Sequence, residues 1–136
     1  MSFIIYPQDG NKLAVIIPTG DVQDAIKDVP QETPYAIVES LEGVDNDYFD
    51  GFIYSEGEAV PDIAKVKGIH LDKFREARKP LLESLDVQYM RALETEDTVK
   101  AAEIAVKKQA LRDVTKTELP NTLPELKEVW PDILNP

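Results

Sequence analysis

The sequence predicts an α+β protein: a small, mainly antiparallel N-terminal β-sheet with one short helix, then a C-terminal antiparallel helical hairpin and a short terminal helix. Up to Pro61 the apolar residues come in short β-prone runs broken by Pro, Gly, Asn and Asp. Beyond Pro61 they recur every three or four residues, as a buried helical stripe requires. A length of 136 residues suits one domain or two small units sharing a core. The change of period puts the boundary between an acidic β-rich part, 1–62, and a helical part, 63–136.

Phe3-Ile4-Ile5-Tyr6 reads as a first strand and Leu13-Ala14-Val15-Ile16-Ile17 as a second. Pro7-Gln8-Asp9-Gly10-Asn11 supplies the turn between them, with Gly or Asn available for positive φ. Asp21 is placed to cap a short helix whose apolar positions are Val22, Ala25, Ile26 and Val29, and Pro30 stops it. Pro34 to Val38 and Gly51 to Tyr54 read as third and fourth strands, with the acidic segment from Glu42 to Asp50 between them.

Ile63, Val66, His70 or Leu71, Phe74, Ala77, Leu81, Leu85, Tyr89, Ala92 and Leu93 form the stripe of a long helix. Pro80 lies inside it, removes a backbone donor and crowds the Glu76 carbonyl, so a kink is expected there rather than two helices meeting end to end. Asp97 caps a second helix from Thr98 to about Asp113, with Val99, Ala102, Val106 and Ala110 as one stripe and Ile104 and Leu111 beside it. The connection is short enough to make the two helices antiparallel neighbours. Thr122 and Glu125 have capping-box spacing, with Pro124 in the first turn of a brief helix through Leu126 and Val129. Trp130-Pro131 ends that helix, and Trp130 is expected to pack back on the hairpin.

Composition excludes several function classes. With no Cys, the chain has no disulfide, thiolate metal site or Cys nucleophile. A single histidine, His70, excludes a multi-histidine site, and its ordinary reading is a partly exposed helix residue. Apolar runs are far shorter than the roughly 20 residues of a membrane span, and no basic-then-apolar signal segment opens the chain, so a soluble intracellular protein is expected. The net charge of −11 is lopsided: residues 1–64 hold two bases against thirteen acids, while residues 65–136 are balanced. From Lys65 to Lys79 six bases face only Asp72 and Glu76. This basic collar reads first as a solvated helix face, and otherwise as a docking surface. Nucleic acid is not an expected partner, because a neighbouring acidic segment repels phosphates.

Asp45, Asp47 and Asp50 are the densest carboxylate cluster. An EF-hand loop beginning at Asp45 would have Phe49 at its fifth position and Asp50 where Gly is required, so a solvated turn is the expected reading. Phe49, Phe52 and Tyr54 are ringed by acids and read as core and edge-strand packing rather than a base-stacking platform. No nucleophile motif or phosphate-binding Gly loop occurs. No catalytic residue, cofactor or metal is expected. A helical hairpin on a small sheet leaves apolar surface over, which favours an interaction protein or an oligomer over an enzyme, the alternative being that this face closes against the sheet.

The run from Ile69 through His70-Leu71-Asp72-Lys73-Phe74-Arg75-Glu76-Ala77-Arg78-Lys79-Pro80-Leu81-Leu82 to Glu94 resembles a family of small tailed-phage and prophage proteins. So do Lys107 to Val114 and Leu123-Pro124-Glu125-Leu126-Lys127-Glu128-Val129-Trp130-Pro131. This helical part looks like the phage tail assembly chaperone family. The front half is similar to the same phage context through Val15-Ile16-Ile17-Pro18-Thr19-Gly20 and Lys27-Asp28-Val29-Pro30, with Pro34-Tyr35 shortly after. It departs after Val38, where such proteins commonly carry Phe-x-x-Ala-Trp and this chain has Tyr48-Phe49-Asp50-Gly51-Phe52.

The resemblance implies a non-enzymatic protein of the host cytoplasm that helps assemble a phage tail or tail fibre. Its implied partner is an unassembled tail or tail-fibre protein, with homo-oligomerisation as a further expectation and no nucleic acid or membrane. On that reading the hairpin offers an apolar, basic-edged face, with Leu81, Leu85, Tyr89, Ile104 and Leu111 as apolar candidates and Arg75, Arg78 and Arg112 as polar ones. The competing expectation is a minor structural component of the tail, retained in the virion.

Overall fold

Ile4 and Ile5 are neighbours on one strand, so their side chains leave on opposite faces, yet both are fully buried. A strand buried on both faces has packing against it above and below its sheet. In the computed structural model, which describes residues 2–135, β1 (Phe3–Pro7) is that strand. It pairs antiparallel with β2 (Leu13–Ile16), Ile5 opposite Val15, and on its other edge with β3 (Ala36–Val38), Ile5 opposite Ala36. The turn between β1 and β2 uses Gly10 and Asn11 at positive φ, as its composition predicts. α1 (Val22–Ala25) begins where Asp21 accepts a hydrogen bond from the Gln23 amide at 2.9 Å, and a single 3₁₀ turn carries it on to Asp28.

One expected sheet is in fact two. β4 (Phe52–Ser55) pairs with a strand that the sequence reading omits, β5 (Glu58–Pro61), in a separate antiparallel hairpin. Its two-residue turn holds Glu56 and Gly57 at positive φ, the backbone that a primed hairpin turn needs. An isolated bridge between Lys12 and Ile53 ties this hairpin to the loop before β2. Phe52 and Leu13 are buried with Ile4 and Ile5, so Phe52 is core, as read from the sequence.

The chain divides into two compact units, Met1–Ile69 and His70–Pro136. α2 (Ile63–Glu94) begins in the first, where the Asp62 carboxylate accepts from the amides of Ala64 and Lys65. Gly51 lies against its first turn. A Cβ there would stand 2.6 Å from Val66 Cγ1 and 3.2 Å from the Val66 amide nitrogen, so only glycine allows this approach. α2 continues through Pro80 as one helix, and the two-helix alternative is not realised.

In the second unit α2 is followed by α3 (Thr98–Asp113) and α4 (Leu123–Lys127). α2 ends in a Schellman arrangement: the Asp97 amide donates to the Ala92 carbonyl, the Glu96 amide to Leu93, and Glu96 takes φ +56°. Asp97 then caps α3 by accepting from the Lys100 amide at 3.0 Å. Arg78 lies beside Arg112, Asp86 beside Lys108 and Ala92 beside Ala101, so the helices run antiparallel as expected. Phe74, Leu111, Val114 and Leu134 form one buried cluster of this unit, and Ala92, Ala101 and Ile104 a second.

Two local expectations are corrected. Thr122 precedes α4 without a side-chain capping bond, so the capping box is not formed, although Pro124 sits in the first turn. His70 is only 2% exposed, not a partly exposed surface residue. Its Nε2 lies 2.7 Å from the Val129 carbonyl, which only accepts, so Nε2 carries the proton. The Phe74 ring meets His70 edge-on at 4.9 Å and Trp130 at 5.4 Å, which fastens the C-terminal segment to α2. Trp130 thus packs back on the hairpin, as its position in the sequence suggests.

Candidate partner-binding surface

The two helices of the hairpin hold each other through most of the side chains that sequence reasoning assigned to a partner. Ile104 is 3% and Leu111 2% exposed, both in the α2–α3 core, so neither is surface. Leu81, Leu85 and Tyr89 are half-buried on the same seam. Their apolar area is already removed from water by the opposite helix, which is why they are not a free docking face. Arg78 is also committed: its guanidinium donates to the carbonyls of Arg112 at 2.9 Å and Leu111 at 3.4 Å. A cation on the last carbonyls of α3 satisfies groups that the helix leaves unpaired and complements its dipole. Arg75 and Arg112 are exposed, Arg75 in an ion pair with Asp72 one turn earlier.

Electrostatics reinforce the seam. Lys108 Nζ lies 2.6 Å from Asp86 Oδ1 and 5.2 Å from the centre of the Tyr89 ring, joining α3 to α2 by an ion pair and a cation–π contact. At the end of α3, Asp113 accepts from Gln109 at 3.0 Å and pairs with Lys116 at 3.2 Å. The Lys116 hydrogen bond, then that of Gln109, holds its carboxyl below the ordinary value of 3.8.

The free apolar surface of the hairpin is elsewhere. On α2, Val87, Met90 and Leu93 are each at least half exposed. They succeed one another at three-residue intervals and turn away from Leu85, Tyr89 and Ala92, which meet α3. On α3, Val99 and Val106 are each 70% exposed, and Ala102 and Ala110 on the same stripe are exposed too. The stripe read from periodicity is thus the outer face of α3, and the residues read as lying beside it form the inner one. At about 100° per residue, Val99, Ala102, Val106 and Ala110 fall on one face, while Ala101, Ile104 and Leu111 fall on the opposite one and pack inward. Both stripes are apolar; the larger side chains Ile104 and Leu111 go inside.

Among the described residues no three or more His, Asp or Glu side chains gather to hold a metal ion. The acidic turn is used structurally: Asp45 accepts from the Asp47 amide at 3.0 Å, and Asp50 Oδ1 lies 3.5 Å from Lys12 Nζ. No helix of the described residues is long and apolar enough to cross a membrane. Comparison with protein-family models, curated proteins and solved structures finds no significant match.

Proposed function

We propose that this chain is a non-enzymatic assembly chaperone for a phage tail or tail-fibre protein, which it holds in the host cytoplasm through its helical hairpin. The observation that carries the reading is the outward row Val87, Met90 and Leu93 on α2, apolar surface that the fold itself leaves in water. Covering such a row with a partner removes apolar area from water. The resemblance of residues 69–94 to tail assembly chaperones gives the class of partner. Arg75 and Arg112 are exposed cations toward the other end of the hairpin, apart from this row.

Mass spectrometry of purified virions beside lysate of the same infected or induced cells tests this reading. A chaperone leaves its client, so the protein is expected to be abundant in lysate and missing from virions. Stoichiometric retention in virions would replace the proposal with the structural one, a permanent minor component of the tail.

A further inference from the structure

We propose that the outer face of α3 binds a second copy of this chain, α3 against α3 and antiparallel. This inference does not rest on the chaperone reading and concerns a different surface from the α2 row. The seam is Val99, Ala102, Val106 and Ala110, spaced three, four and four residues apart as in a two-helix packing stripe. It faces away from α2, since Ala101, Ile104 and Leu111 occupy the inward side.

The occupant follows from the order of side chains along the seam. Read forwards it runs large, small, large, small; read backwards, small, large, small, large. A second copy turned about a two-fold axis near Ile104 therefore sets Val99 opposite Ala110, Ala102 opposite Val106, and the reverse. Every Val meets an Ala, the alternation that lets two helices interdigitate closely. A parallel copy in register would set Val on Val and leave gaps between the Ala pairs.

Charge selects the same arrangement. Glu103 and Lys107 lie on one shoulder of the seam, are exposed, and form no ion pair among the described residues. Antiparallel packing brings like shoulders together, so Glu103 faces Lys107 of the second copy and Lys107 faces its Glu103. Closed two-fold symmetry makes both pairs at once. A seam of two Val and two Ala is small beside a standard interface, so the dimer is weak and depends on concentration.

Sedimentation velocity on the full chain from about 1 μM to 1 mM tests the proposal, as this spans the affinities expected of so small a contact. Wild type is expected to dimerise within that range, and Val106→Asp to weaken association at least ~10-fold. Because Val106 is exposed, circular dichroism of the variant should match wild type; Val99→Asp serves as a second probe if it does not. Glu103→Lys and Lys107→Glu should each weaken self-association, while an equimolar mixture of the two variants restores it as a heterodimer. A monomer at every concentration, or a dimer indifferent to both Asp substitutions, overturns the proposal. Loss of self-association with no recovery on mixing overturns the antiparallel two-fold. A wild-type monomer in which Val106→Asp abolishes tail-protein binding would give this face to that partner instead.

Discussion

Ile4 and Ile5 of the N-terminal unit stand next to each other on β1 and are both wholly buried, whereas Ile104 and Val106 of the helical unit stand two apart on α3 and are 3% and 70% exposed. In the first unit a central strand is covered on both faces, so its apolar run is used up by its own fold. In the second, an antiparallel pair of helices covers one face of each, and apolar residues on the other faces stay in water. The N-terminal unit still exposes Ile17, Tyr35 and Ile37, but the helical unit leaves more large apolar side chains in water, Val87, Met90, Leu93, Val99 and Val106 among them.

The largest expected effect separates the two faces of α3. Ile104→Ala should cost about 2–4 kcal/mol of stability by opening a cavity in the seam, while Val106→Ala should change it by no more than about 0.5 kcal/mol. Urea titration of both variants checks this, and equal losses would erase the distinction between inner and outer face. A smaller loss is expected in the N-terminal unit. Gly51→Ala forces a Cβ against the Val66 backbone as well as its side chain, and should cost about 1–3 kcal/mol in thermal unfolding. The smallest effect has the opposite sign. Glu96→Gly relieves a left-handed residue at the C-terminal end of α2 and should stabilise the hairpin by about 1 kcal/mol, a rise in melting temperature of a few degrees.

Much of this architecture was legible in the sequence where local chemistry and tertiary packing agree. Asp21 and Asp97 announce helix starts, Gly10-Asn11 a turn, and the period from Ile63 onward a long helix with an antiparallel partner. β5 was not legible: Glu58 to Pro61 is four residues ending in proline, and its turn puts Glu, an uncommon choice, at positive φ. His70 shares a place on the apolar stripe with Leu71, but as a polar residue near several lysines it reads as partly exposed, because the carbonyl that permits its burial comes from Val129, 59 residues away. The division between buried and exposed apolar faces was the least legible. Periodicity finds apolar stripes, but α3 has two of similar strength on opposite faces, and nothing local says which meets α2. Assigning Ile104 and Leu111 to a partner put inner-face residues on the surface. Side-chain size was the available signal, since burying Ile and Leu removes more apolar area than burying Val and Ala.

On the proposed function, the outward apolar row of α2 is spare for folding and used for binding. The most direct measurement takes Val87→Asp/Met90→Asp through two readouts together: urea unfolding of the purified chain, and co-purification with tail proteins from induced cells. The expected result is stability within about 1 kcal/mol of wild type, as for other exposed positions, with the tail protein no longer captured. A loss of several kcal/mol, or a tail protein still bound to a folded variant, would contradict it.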